Sequence, residues 1–166
     1  MGSLRRLNDG LERLVSWGAM VAMAIMAIVI PYEVFGRKVL GSMPSWSGEV
    51  SCFALVWASM LGAAVGLRRG YHVGMTFVLE RLPVGLARVL RLLGMILTMS
   101  VLLVLVVYGG MQVGVNARQL SPAMRIPMAI PYMAIPLGAL AMFSFSLEEL
   151  IRELLPGTRG QGPGGR

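Results

Sequence analysis

The sequence predicts an all-α membrane protein with four transmembrane helices. Hydrophobic residues make up 56% of the 166 and charged residues only 14%, against about 25% charged in a soluble domain. The charges are also segregated. Four runs carry none at all, over residues 14–32, 50–67, 92–117 and 126–147, with lengths of 19, 18, 26 and 22 residues. As helices they reach roughly 27–39 Å, and a bilayer core of about 30 Å needs about 20 apolar residues. The runs do not alternate in polarity, which excludes a membrane β-barrel pattern. With their flanks they predict spans at about 14–35, 48–67, 89–114 and 127–148. These lie in one integral membrane domain, 1–155, followed by a low-complexity, disordered tail, 156–166.

The N-terminal segment "LRRLNDGLERL" places Leu4, Leu7, Leu11 and Leu14 at helical spacing, with Arg5, Arg6, Asp9, Glu12 and Arg13 on the other faces. This predicts a short amphipathic helix lying on the membrane surface before the first span. The first run is too long for a signal-peptide core and no small-residue cleavage site follows it, so the span is expected to be retained. Orientation follows from Lys and Arg in the flanks. With both termini in the cytoplasm, eleven positive residues lie inside and four outside. Both ends are therefore expected to be cytoplasmic. The net charge of +7 then needs no nucleic acid; it orients the chain and meets anionic headgroups.

The first external loop, "GRKVLGSMPSWSGE", is rich in Gly, Ser and Pro. Tyr32 and Trp46 fall at the outer interface, where aromatic residues gather. Glu49, in the first turn of the second span, either offsets the helix dipole or faces a partner. Along that span Ala54, Ala58, Gly62 and Gly66 recur at four-residue steps. A stripe of small residues lets another helix approach closely, either one of this chain's own or one of a foreign subunit. Trp57 sits mid-span, away from the interfaces, and so is expected to pack against protein.

The segment "GAAVGLRRGYHVGM" ends the second span. Arg68 and Arg69 fix that end in the cytoplasm, and His72, the only histidine, is read as a structural hydrogen-bonding residue beside them, with a pH switch as the lesser alternative. A second amphipathic segment with Arg81, Arg88 and Arg91 on one face leads into the third span, and Pro83 suits its first turn. The outer end of that span, from Gly110 to Gly114, offers another small-residue contact. The fourth span carries Pro122, Pro127, Pro131 and Pro136. The last two remove backbone hydrogen bonds and predict a bent outer half.

No catalytic constellation is present: no H-E-x-x-H, Walker or G-x-S-x-G motif occurs. Cys52 is the only cysteine, so an intramolecular disulfide and any multi-cysteine metal or iron–sulfur site are excluded. A bis-histidine haem needs a second histidine. The span interiors hold no Asp, Glu or His, the groups that build ion and proton paths. No enzyme activity, cofactor or metal is expected.

The ordered set of residues resembles the small (DctQ-type) membrane subunit of tripartite ATP-independent periplasmic (TRAP) transporters. In that family the second span opens on Trp-Ser-x-Glu, passes a Trp and a Leu-Gly-Ala-Ala run, and ends in Arg and His. Here these are Trp46, Ser47 and Glu49; Trp57; Leu61, Gly62, Ala63 and Ala64; then Arg68, Arg69, His72 and Val73. The fourth span carries Ser-x-Pro, Ile-Pro, Tyr and Pro-x-Gly, matched by Ser121 and Pro122, Ile126 and Pro127, Tyr132, Pro136 and Gly138. The match covers about residues 10–150. One departure is Thr76, where the family often has Asp. The resemblance implies a non-catalytic subunit in the bacterial inner membrane. It would act as scaffold and anchor for a large, sodium-driven transport subunit that takes up organic acids delivered by a periplasmic substrate-binding protein. In some relatives the two subunits are fused; because this sequence ends soon after its fourth span, the separate form is expected. Partner-packing candidates are Ala54, Trp57, Ala58, Gly62 and Gly66. Interface and orientation candidates are Glu49, Arg68, Arg69, His72, Tyr132 and Pro136. Arg118 and Arg125 face either the substrate-binding protein or lipid phosphates. Two rival readings are a membrane anchor of a redox or other enzyme complex and a small self-assembling pore.

Overall fold

The computed structural model describes residues 2–41, 45–70 and 84–154. His72, Val73, Thr76, Arg81, Pro83 and the tail 156–166 lie outside the described residues. Four helices are long and apolar enough to cross a membrane, as the charge-free runs predict. They are α1 (Gly2–Phe35), α2 (Ser45–Gly70), α3 (Val84–Asn116) and α5 (Ala134–Leu154), with a one-turn helix α4 (Ala129–Tyr132) ahead of α5. A π-helical turn, Gly36–Leu40, closes α1 and ends at Gly41, whose φ of 63° is the left-handed conformation that glycine adopts most easily.

The N-terminal amphipathic segment differs from the expectation of a separate surface helix: it forms the first turns of α1. Of the second segment the described part, from Val84 with Arg88 and Arg91, forms the first turns of α3. α1 has 34 residues and α3 has 33, about 50 Å each at 1.5 Å per residue, so both reach well past a bilayer core. Nothing at Gly10 interrupts α1: an isolated glycine costs about 1 kcal/mol in a helix, too little to break one anchored on both sides.

The fourth span is interrupted where the prolines predict. Its backbone bonds from Met133 N to Ala129 O (2.9 Å) and from Leu137 N to Met133 O (3.2 Å) carry the helical path across the break. Pro131 and Pro136 have no N–H to add to it.

The helices pack side by side in the order α1, α2, α5, α3, with α1 making a smaller contact to α5. α5 is thus interior and α1 and α3 are flanks. The core where they meet contains Val15, Leu61, Ala64, Leu102, Ala139, Ala141, Met142 and Phe145, with Trp57 packed against it. Three glycines set the close approaches. A Cβ on Gly18 would lie 2.7 Å from Leu61 Cδ1, one on Gly138 would lie 2.8 Å from Met60 Cβ, and one on Gly109 would lie 3.1 Å from Ile135 and Pro136 atoms. The adjacent α2 residues Met60 and Leu61 therefore fill the glycine gaps of the helices on either side.

Candidate functional site

Each end of the array carries a polar cluster. At one end α2 delivers Arg68 between α1 and α5. Its guanidinium pairs with Asp9, with Glu12 (Nε to Oε2, 2.7 Å) and with Glu148 (Nη1 to Oε2, 3.4 Å). Its Cζ lies 4.8 Å from the centre of the Phe145 ring, within cation–π range. The buried Asn8 donates to Glu148 Oε2 at 2.6 Å, and Arg69 Nε donates to Glu12 Oε1 at 3.0 Å. A parallel pair, Arg91 with Glu153 at 3.4 Å, ties α3 to α5. Arginine suits this place because its planar fork can serve several carboxylates at once. The side chain is only 16% exposed, so its charge must be matched locally.

At the other end Glu49 holds the loop between α3 and α4. Its carboxylate accepts from the Ser121 hydroxyl, from Ala123 N (2.8 Å) and from Met124 N (3.1 Å). The loop is itself laced: Ser121 N donates to Ile126 O at 2.9 Å, and Met128 N to Gln119 O at 2.8 Å. Leu120 and Pro127 form an antiparallel bridge. Arg125 sits at φ 52°, a conformation uncommon for a residue with a side chain and held here by that hairpin. Glu49 thus spends its charge on a loop more than 70 residues away in sequence. Beside it Tyr32 and Trp46 stack with ring centres 5.9 Å apart.

The small-residue stripe divides. Ala54 and Ala58 are buried within this chain, whereas Gly62 and Gly66 are exposed, with no atom within 4 Å of an added Cβ. Four-residue steps rotate by about 40° each around a helix of 3.6 residues per turn, so Gly66 faces about 120° away from Ala54. Trp57 is half-buried on the chain's own core. Tyr132 ends α4 and Pro136 lies in the first turn of α5, against Gly109 of α3. Gly110 and Gly114 meet open space, and it is Gly109 that approaches α5. Sequence reasoning missed Gly18 and Gly109, which no motif separates from the other glycines. It also missed Asp9, Glu12 and Glu148 as partners of Arg68, and Asn8 as a donor to Glu148. Among the described residues no group of three or more His, Cys, Asp or Glu side chains is placed to hold a metal ion.

Four apolar helices with their ionic contacts confined to the two ends suit a subunit of a membrane assembly, and sequence comparison specifies which. Residues 26–155 match the family of tripartite ATP-independent periplasmic transporters, DctQ component. The chain belongs to this family. Similar relatives include the C4-dicarboxylate TRAP transporter small permease protein DctQ of Rhodobacter capsulatus, 33% identical over 58% of this chain and 44% of that protein. The ectoine TRAP transporter small permease protein TeaB of Halomonas elongata is 28% identical over 84% of this chain and 72% of that protein. The sialic acid TRAP transporter small permease protein SiaQ of Vibrio cholerae is 25% identical over 48% of this chain and 44% of that protein. The match thus spans less than half the length of the Rhodobacter and Vibrio relatives. This DctQ-family chain is a multi-pass membrane protein and a TRAP small permease subunit, a class of transporter component and not an enzyme.

Proposed function

We propose that this subunit is the scaffold and anchor of a sodium-driven TRAP transporter for organic acids in the bacterial inner membrane, with both of its termini in the cytoplasm. The observation that carries the scaffold role is the side-by-side array. In α1 and α3 only 11% of the apolar span is buried within the chain, against 44% in α5. The flanking helices therefore offer long apolar faces to a large transport subunit and to lipid. The ion pairs among the described residues sit at helix ends, which leaves the span interiors without a polar path for a solute. A partner subunit would carry the substrate and sodium, and a periplasmic substrate-binding protein would deliver the substrate. The exposed Gly62 and Gly66 are the small-residue positions free for that partner. Arg68, Arg69 and the positive flanks would hold their end in the cytoplasm.

The reading is tested by expressing the chain with its genomic neighbours and purifying it by an affinity tag. Co-purification of a large membrane protein, with uptake abolished when this chain is deleted, is the expected result. Uptake that survives the deletion unchanged overturns the scaffold role.

A further inference from the structure

An open cleft of about 390 Å³ lies where α1 meets the end of α2 beside Arg68, lined by Asp9, Glu12, Arg13, Ser16, Trp17, Met20 and Arg69. We propose that it is a binding site for one phospholipid with a phosphoethanolamine headgroup. The inference rests on the chain being membrane-embedded and not on its scaffold role.

Position comes first. The charge-free run begins directly after Arg13, so Arg13 and Trp17, one helical turn apart, straddle the boundary between water and hydrocarbon. Trp17 is 67% exposed on a helix that enters the bilayer there. The upper half of the cleft is charged and the lower half, Trp17 and Met20, is apolar, the polarity profile of a lipid at the headgroup level.

The polar half is matched to a zwitterion. Arg13 takes part in no ion pair among the described residues. Arg69 is 68% exposed and is engaged through Nε, which leaves its two terminal nitrogens to donate. Two guanidinium groups, one from α1 and one from α2, are the chemistry that takes a phosphodiester, by charge-assisted and bidentate hydrogen bonds. Asp9, one turn before Arg13 on α1, uses Oδ1 on Arg68, and its side chain is 52% exposed, so Oδ2 can accept from a primary ammonium. Ser16 lies on the same cleft. The formal charges of Asp9, Glu12, Arg13 and Arg69 cancel. A net-neutral lining with separated charges selects a zwitterionic headgroup over an anionic one, and three N–H donors on the ligand amine distinguish ethanolamine from choline. The acyl chain would run along Trp17 and Met20 toward the bilayer centre.

The test is native mass spectrometry of the full chain released from detergent, titrated with phosphatidylethanolamine, phosphatidylcholine or phosphatidylglycerol of identical acyl chains. Phosphatidylethanolamine is expected to be retained best. Arg13→Gln should weaken it about tenfold, the equivalent of one charge-assisted hydrogen bond. Asp9→Asn should erase the preference for ethanolamine over choline. Circular dichroism checks folding, and Arg13→Gln removes no ion pair within the protein, so it carries the test if Asp9→Asn misfolds. Equal retention of the three lipids, stronger retention of phosphatidylglycerol, or unchanged binding in Arg13→Gln overturns the proposal.

Discussion

Replacing Arg68 by leucine should destabilise the subunit more than any other single change at that end. Three carboxylates converge on this guanidinium. Glu148 and Glu12 are well shielded, at 15% and 22% exposure, while Asp9 is half in solvent. Removing one partner of a buried ion pair costs about 3–5 kcal/mol, because the other charge is left unmatched. Asp9 can return to water at little cost, and partial exposure screens the other two. The discounted cost is about 2–3 kcal/mol, to which the lost contact with Phe145 adds about 0.5–1 kcal/mol. Arg68→Lys keeps the charge but not the fork, and a loss of one or two hydrogen bonds is worth about 1–2 kcal/mol. Adding Glu148→Gln to Arg68→Leu removes one of the carboxylates that Arg68 balanced and should recover about 1 kcal/mol. Reversible unfolding in mixed micelles of rising SDS fraction, followed by helical circular dichroism, measures all three. If Arg68→Leu lies within about 0.5 kcal/mol of the parent, the range of an ordinary surface change, the idea that Arg68 ties α1, α2 and α5 together is wrong.

The glycines give a contrast. Gly138→Ala places a methyl 2.8 Å from Met60 Cβ and 3.3 Å from its backbone, so overpacking should cost about 1–3 kcal/mol in the same assay. At Gly62 an added Cβ has no atom within 4 Å; Gly62→Leu should leave unfolding unchanged while lowering recovery of the large subunit in co-purification. Glu49→Ala strands the Ser121 hydroxyl and two backbone N–H groups of the α3–α4 loop. Amide hydrogen exchange at Ala123 and Met124 should then accelerate at least tenfold, as expected for the loss of about 1.5–3 kcal/mol of charge-assisted bonding.

Much of this was legible before any coordinates. The spans follow from charge-free runs, because a bilayer sets their length and rejects charge locally. The break in the fourth span follows from Pro131 and Pro136, because a missing N–H is a local defect. The sequence also singled out Glu49, Arg68 and Arg69. It did not reveal what they touch: Arg68 meets Asp9 from 59 residues away and Glu148 from 80. Glu49 was read either as a dipole-offsetting residue or as a contact to a partner, and its bonds to Ser121, Ala123 and Met124 were not legible in the sequence.

The stripe at Ala54, Ala58, Gly62 and Gly66 marks the boundary between the two kinds of knowledge. Sequence alone determined that this chain has four apolar helices with charged ends and that α2 carries small residues at regular steps. Length, polarity and helical propensity act within one segment, so they can be read from it. Only the tertiary structure decided that the first two of those residues close the chain's own array and that the last two face outward. It also decided that the tight crossings occur at Gly18, Gly109 and Gly138. The face a helix turns to its neighbour depends on the shapes of both surfaces at once, and that pairing is written in neither helix alone.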